Sequence, residues 1–192
     1  AVRAPAEDAA ASSLQGLQTP SAGSRQFLRA VATIGIQAAD ALEYAREAGI
    51  VHRDVKPSNL ILDGTGRLWL TDFGLALIHG DEGLTVTGDV VGTLRYMSPE
   101  QAVGKRGFVD HRADVYSLGA TLYELLTLRP AIDGEDRREI LRNIVFSEPV
   151  RPRRLNGKIP GELETVILKA MAKRQEDRYK TAGELADDLR RY

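Results

Sequence analysis

The feature that most constrains the fold is one stretch of 23 residues, 52–74, which reads HRDVKPSNLILDGTGRLWLTDFG. Its two apolar runs, NLIL and RLWLT, are typical of short β-strands, and the residues DGTG between them are typical of a tight turn, so the stretch predicts a β-hairpin. A hairpin returns the chain to the edge at which it started. The polar residues before the first strand should therefore meet those after the second and form one site.

The residue types at these two ends suit the transfer of a phosphoryl group from ATP. That reaction needs a carboxylate to accept a hydroxyl proton, positive charge on the phosphates and oxygen ligands for Mg²⁺. Asp54, Lys56 and Asn59 lie within six residues of each other, and Asp72 follows 18 residues after Asp54. We expect a base, a cation and two magnesium ligands to converge here.

The remainder of the chain predicts an α+β fold that is mainly α-helical. Apolar residues recur at three- and four-residue steps from Phe27 until Gly49, which indicates one helix. Residues 77–98 lack a regular period and predict a long ordered loop. Further helices are predicted from a cap at Asp110 to about Thr127, near 135–146, near 161–173, and from Thr181 to the end, where Thr181 and Glu184 have capping-box spacing.

Composition excludes several other classes of protein. The 192 residues contain no cysteine, which excludes disulfides and thiolate metal sites and fits a reducing compartment such as the cytoplasm. No apolar run approaches the length of a membrane span. A net charge of −1 gives no reason to expect a nucleic acid or an anionic membrane as partner. Residues 1–24 lack steady periodicity and are interpreted as a linker or disordered tail.

With these motifs the chain resembles the protein kinase family from about residue 27 to residue 192. His52-Arg53-Asp54 followed by Asn59 fits the catalytic loop, and Asp72-Phe73-Gly74 fits the metal-binding triplet. Val55 replaces the usual leucine of the first motif, and Ser98-Pro99-Glu100 stands where the family has Ala-Pro-Glu. Lys56 and the pair Gly92-Thr93 are similar to serine/threonine kinases. The segments GTLRYMSPEQA and DRYKTAGELADDLRR are similar to the bacterial branch.

The resemblance implies roles for the residues of the predicted site. Asp54 would be the catalytic base, Lys56 would contact the γ-phosphate, and Thr93 would bridge these two side chains. Asn59 and Asp72 would bind Mg²⁺, with Ile61 as the floor under adenine. The residues that the resemblance places around ATP are Lys56, Ser58, Asn59, Ile61 and Asp72.

The same resemblance implies a regulatory set and a structural set. Arg53 would hold a phosphorylated activation segment, for which Thr85 and Thr87 are the candidates, because guanidinium suits two-pronged contact with phosphate. Glu100 and Arg178 would form a buried ion pair. The structural set also contains His52 within the core, Phe73, Gly74, and Asp114 as a brace for the catalytic loop.

A complete kinase also needs a small lobe, whose glycine-rich loop and strand lysine hold the phosphates. Residues 1–51 contain no lysine, and their glycines never form G-x-G-x-x-G. We therefore expect residues 25–192 to be the large lobe alone, with ATP, a protein substrate and the small lobe of the parent chain as partners. The face that would meet the nucleotide should be apolar around Ile61 and Phe73.

Two functions from different classes remain open. The chain is either a piece of an active serine/threonine kinase with little activity in isolation, or a non-catalytic kinase-like scaffold or regulatory module. The intact site favours the first, and the missing small lobe favours the second. A third interpretation, a small-molecule phosphotransferase, is weakened by the long activation segment and by Ser98-Pro99-Glu100.

Overall fold

The structure, a computed structural model, describes residues 23–73, 92–104 and 109–192. Most of the predicted loop over 77–98 and of the predicted tail over 1–24 lies outside this range. The elements are α1 (Arg25–Glu47), a 3₁₀ turn (Pro57–Asn59), β1 (Leu60–Leu62), β2 (Leu68–Leu70), α2 (Pro99–Ala102), α3 (Arg112–Thr127), α4 (Arg137–Phe146), α5 (Pro152–Leu155), α6 (Gly161–Ala170), a 3₁₀ turn (Gln175–Asp177) and α7 (Ala182–Arg191).

Helix α1 forms where the periodicity predicts it. The side-chain oxygen of Ser24 caps its first turn by accepting a hydrogen bond from the Phe27 amide (3.1 Å). Just past its last turn, Gly49 has φ +75°, a backbone conformation that glycine adopts without strain. The buried face of α1 consists of Leu28, Val31, Ala32, Gly35, Ala38, Ala39, Leu42 and Ala45.

Helix α3 is the centre of the core. Twelve of its sixteen residues are buried, so it is covered on nearly every side. Its first turn differs from the prediction, because His111 is the N-cap and Asp110, one residue earlier, instead accepts from the Arg112 amide (2.8 Å). The helix ends at Leu128, whose φ is +56°.

The other helices pack around α3. Helix α1 packs against α7 and α3, and α6 packs against α3 and α7. One close approach is at Gly35, where a β-carbon would lie 2.9 Å from side-chain carbons of Leu122 and Leu189. A second, smaller cluster of Leu94, Ile132, Ile140 and Ile144 joins residues 92–104 to α4.

The three C-terminal helices were predicted with shifts at their ends. The Asp136 and Thr181 side chains cap α4 and α7 by accepting from the Glu139 and Glu184 amides. Helix α6 ends at Ala170, three residues before the predicted end, because the next carbonyls are turned toward Arg178. Helices α2 and α5 were not predicted, since four residues are too few to show a period.

The predicted β-hairpin is present. Strands β1 and β2 pair antiparallel, with Leu60 opposite Leu70 and Ile61 opposite Trp69. The Asp63 side chain organises the turn by accepting from the Thr65 and Arg67 amides and from the Trp69 indole. A hydrogen bond from the Thr65 hydroxyl (2.6 Å), together with these three bonds, holds the pKa of Asp63 well below its usual range.

Among the described helices, none combines the length and the apolar character that crossing a bilayer requires.

Candidate active site

The two ends of the hairpin lie together, as the sequence predicts. The Thr71 amide donates to the Asn59 carbonyl (3.0 Å), and the Thr71 carbonyl accepts from Nε2 of His52 (2.9 Å). Because these bonds join residues before β1 to residues after β2, they place the loop of residues 52–59 beside Asp72.

A compact ion pair occupies the loop before the hairpin. The ammonium of Lys56 lies 2.8 Å from the Asp54 carboxylate and donates to the Thr93 hydroxyl at 3.3 Å. Asp54 and Lys56 are only partly buried, so both remain reachable from solvent. A carboxylate in this position can accept a proton, and the neighbouring cation can stabilise negative charge on an incoming group.

Asn59 is buried, and its amide orientation is determined by its neighbours. Its Nδ2 donates to the Asp54 carbonyl (2.8 Å) and lies 3.3 Å from the Asp54 carboxylate. Both partners are acceptors, so the nitrogen must face them. The oxygen is then left on the other side, where its only hydrogen bond among the described residues is a long one from Ser58 (3.4 Å).

Asp72 follows β2 in an unusual backbone conformation. Its φ is +63°, which is uncommon for a residue with a side chain and is concentrated at functional sites. The residue is exposed, and within the described part of the chain it has no cationic partner. Phe73 comes next, with its ring 4.5 Å from the His52 ring, and Gly74 lies outside the described residues.

These oxygens suit a hard divalent cation. The amide oxygen of Asn59 and the carboxylate of Asp72 are ligand types that Mg²⁺ prefers, and Mg²⁺ keeps several waters and substrate oxygens when protein ligands are few. Residues 23–73, 92–104 and 109–192 contain no cluster of three His, Cys, Asp or Glu side chains that could hold a metal ion.

Asp114 holds the loop from the core. Its two oxygens accept from the His52 and Arg53 amides at 2.8 and 2.7 Å, and it is buried on α3. Burial raises the pKa of Asp114, while the two amide hydrogen bonds oppose that rise. Arg53 has φ +68°, so these bonds hold a strained backbone in place. Gln101 adds a third bond, to the Arg53 carbonyl (3.0 Å), which the sequence did not indicate.

The His52 ring lies in the core and hydrogen bonds to the backbone on both sides. It is completely buried, its Nε2 faces the Thr71 carbonyl, and its Nδ1 faces the Asp54 amide (3.3 Å). A carbonyl can only accept and an amide can only donate. Nε2 is therefore the donor and Nδ1 the acceptor.

The Nε of Arg53 is buried and has no hydrogen-bond partner in the part of the chain that the structure describes. Thr85 and Thr87, the residues predicted to approach it when phosphorylated, lie outside the described part of the chain.

Glu100 and Arg178 form a buried, two-pronged ion pair. Nη1 and Nη2 of Arg178 donate to the two Glu100 oxygens at 2.7 and 2.8 Å. Burial acts to raise the pKa of Glu100, but the hydrogen bonds and charge of Arg178 outweigh it and leave that pKa below its usual value. This pair ties α2, beside the site, to the segment before α7.

The edge of the site is apolar and open. Ile61 is 51% exposed and Phe73 is 40% exposed, although both are large hydrophobic residues. Leu62 and Trp69 on the same hairpin are similarly exposed. Exposed apolar side chains clustered on one element are typical of a contact surface.

Comparison with known proteins agrees with this geometry. Residues 18–188 match the protein kinase domain. The chain belongs to the protein kinase family, and its described residues form a mainly helical large lobe with a short hairpin at the site.

Its relatives narrow the class to eukaryotic-like serine/threonine kinases of bacteria. The chain is 44% identical over 159 residues to the probable serine/threonine-protein kinase SCO3848 of Streptomyces coelicolor. It is 42% identical over 163 residues to serine/threonine-protein kinase PknB of Mycobacterium tuberculosis. These alignments cover 82% and 84% of this chain but 23% and 26% of the relatives, so the chain spans about a quarter of their length.

Proposed function

We propose that residues 25–192 act as the large lobe of a serine/threonine protein kinase, which transfers the γ-phosphate of ATP to hydroxyl groups of protein substrates. One observation carries the proposal: Asp54, Lys56 and Asn59 form a single hydrogen-bonded cluster. The hairpin brings Asp72 to the same edge.

In the proposed reaction each residue of the cluster has one task. The substrate hydroxyl attacks the γ-phosphorus, its proton passes to the Asp54 carboxylate, and ADP leaves. Lys56 stabilises the transferred phosphoryl group, and Thr93 restrains the Lys56 side chain. Mg²⁺, held by Asn59 and Asp72, would supply charge neutralisation on the phosphates.

Residues outside this lobe would complete the nucleotide-binding site. Lys56, Ser58, Asn59, Ile61 and Asp72 line one side of the proposed ATP site, and the exposed Ile61 and Phe73 are the surface that a small lobe and adenine would cover. Residues 1–51 offer no lysine for the phosphates. We therefore propose a small lobe of the parent chain as partner, and at most marginal activity for residues 1–192 by themselves.

Regulation and location are part of the same proposal. The Nε of Arg53, which has no hydrogen-bond partner among the described residues, supports a phosphorylated Thr85 or Thr87 as its ligand, since a buried guanidinium nitrogen needs an acceptor. A chain without cysteine is compatible with a cytoplasmic location, where thiol chemistry is not needed for stability.

The test is the Asp54→Asn variant in the full-length protein that carries this chain. Loss of a general base lowers turnover by about 10²–10⁴, measured as Mg²⁺-dependent transfer of labelled phosphate from ATP to a generic protein substrate. Asp187→Asn is the matched control, because Asp187 is an exposed aspartate of α7 and its loss should leave turnover unchanged.

Two outcomes would contradict the proposal. Unchanged turnover in Asp54→Asn would remove Asp54 from the reaction. If the full-length wild type folds and transfers no phosphate under any activating condition, the alternative of a kinase-like scaffold or regulatory module is supported instead.

A further inference from the structure

Gln37, in the middle of α1, connects the core to the hairpin through both ends of its side-chain amide. Nε2 donates to the Gly66 carbonyl (3.1 Å), and Oε1 accepts from the Leu68 amide (2.9 Å). The side chain thus pairs with the backbone at the start of β2 as a neighbouring strand would. It is the one side chain of α1 that hydrogen bonds to the hairpin among the described residues.

The hairpin has few other attachments of this kind. Each strand is three residues long, and Ile61, Leu62 and Trp69 are exposed. Only Leu60, Leu68 and Leu70 pack, partly buried, against the core. A two-stranded hairpin with so little buried surface is not stable by itself. Thr71 bonds to Asn59 and His52 at the end nearest the site, so the opposite, turn end of the hairpin depends on the amide of Gln37 and on the packing of these leucines.

The position of β2 matters because Asp72 follows it directly. Leu68 and Asp72 are four residues apart, which is roughly 13 Å in an extended strand. The Asn59 side chain is held by its bonds to Asp54 in the preceding loop, and the bonds of Thr71 to Asn59 and His52 hold the end of β2 that is nearest the site. A tilt of β2 about that end would therefore turn Asp72 relative to the Asn59 side chain.

We propose that Gln37 is a positioning residue for the magnesium site, in that its amide fixes β2 and thereby the separation of Asp72 from Asn59. The inference rests on the proposed function for the identity of these two ligands. Gln37 touches neither ligand and acts through the strand.

The experiment measures Mn²⁺ binding in the presence of ADP by electron paramagnetic resonance, on the full-length protein that carries this chain. Gln37→Met removes both hydrogen bonds and keeps the length of the side chain. Gln37→Glu keeps the acceptor for Leu68 and loses the donor for Gly66. We expect the Mn²⁺ dissociation constant to rise at least about tenfold in Gln37→Met, as for other indirect partners of metal ligands, and less in Gln37→Glu.

Two controls separate positioning from general stability. Gln26→Met changes an exposed glutamine on the same helix and should leave Mn²⁺ binding unchanged. Gly35→Ala should destabilise the core by crowding Leu122 and Leu189 without touching the hairpin, and it should also leave the dissociation constant unchanged. Hydrogen exchange at the Leu68 and Trp69 amides should accelerate in Gln37→Met and not in the controls.

The outcomes distinguish this inference from the proposed function. If phosphate transfer is normal and Gln37→Met binds Mn²⁺ as tightly as the wild type, Gln37 has no positioning role and the kinase proposal stands. If Gln37→Met weakens Mn²⁺ binding but the wild type transfers no phosphate, positioning stands and the kinase proposal fails. A wild type that binds no Mn²⁺ with ADP, or a Gly35→Ala effect equal to that of Gln37→Met, overturns the positioning role.

Discussion

Glu100→Gln is the substitution whose effect on stability can be worked out most fully from the contacts. Arg178 uses all five of its N–H groups, two on Glu100 and three on the carbonyls of Ala172, Arg112 and Lys173. Its side chain is 0% exposed and that of Glu100 is 10% exposed. The substitution keeps the shape of the carboxylate and removes its charge.

Two independent estimates agree on the size of the effect. Removing one member of a buried ion pair costs roughly 3–5 kcal/mol, because the remaining charge has no partner. The second estimate counts hydrogen bonds: those to charged groups contribute about 1.5–3 kcal/mol each. Glu100→Gln loses one of the two bonds from Arg178 and weakens the other. Since the glutamine oxygen can still accept one bond, we expect a loss near the lower end, about 3 kcal/mol of the free energy of unfolding.

The assay is urea unfolding followed by circular dichroism, with Arg190→Met as control. The ion pair of Arg190 with Asp40 also joins two helices, but its side chains are 44% and 51% exposed, so its loss should cost under about 1 kcal/mol. In the double variant Glu100→Gln/Arg178→Met the loss should be smaller than the sum of the single losses. A Glu100→Gln loss no larger than that of Arg190→Met would refute the reasoning.

Two further predictions concern acid stability and the end of α3. The pKa of Glu100 is lowered in the folded state, so the unfolded state takes up a proton first as the pH falls, and the contribution of Glu100 to stability is present above about pH 4.5 and lost below it. The difference in stability between wild type and Glu100→Gln should therefore shrink when it is measured by urea unfolding from pH 7 to pH 3. A difference that stays constant over this range would contradict the prediction. Leu128→Gly should stabilise the protein by about 0.5–1 kcal/mol, because the left-handed conformation costs a residue with a β-carbon about 1–2 kcal/mol and the greater entropy of glycine in the unfolded state offsets part of that gain. Little packing is lost, since Leu128 is 66% exposed. A lower urea midpoint in Leu128→Gly than in the wild type would contradict this prediction.

Local elements of this chain could be predicted because their causes lie within a few residues. The hairpin follows from DGTG between two short apolar runs, and the Asp63 side chain accepts hydrogen bonds within its own turn. Helices α1, α4 and α7 follow from periodicity, and the start of α7 also follows from the cap at Thr181. Helix ends were predicted less closely. Helix α3 begins one residue later than a cap at Asp110 predicts, and α6 ends early where Arg178 binds the Ala172 and Lys173 carbonyls.

The residues of the candidate site also fall into two groups: those that the sequence indicated and those that it did not. Asp54, Lys56 and Asn59 are neighbours in the sequence, so their residue types alone indicated a shared chemistry. Gln101 and Gln37 gave no signal, since an isolated glutamine belongs to no local pattern and meets the Arg53 carbonyl and β2 only after the helices have packed.

The hairpin, the longer helices and the residue types of a phosphoryl-transfer site could therefore be predicted from the amino-acid sequence. The family resemblance added the pairing of Glu100 with Arg178, 78 positions apart, and the brace at Asp114, 62 positions from His52. How these groups meet, which acceptors orient the Asn59 amide and what holds the hairpin depend on the tertiary structure. The physical reason is range: turns and caps are bonds between near neighbours, whereas a buried carboxylate or guanidinium takes whichever partners the packed core brings to it.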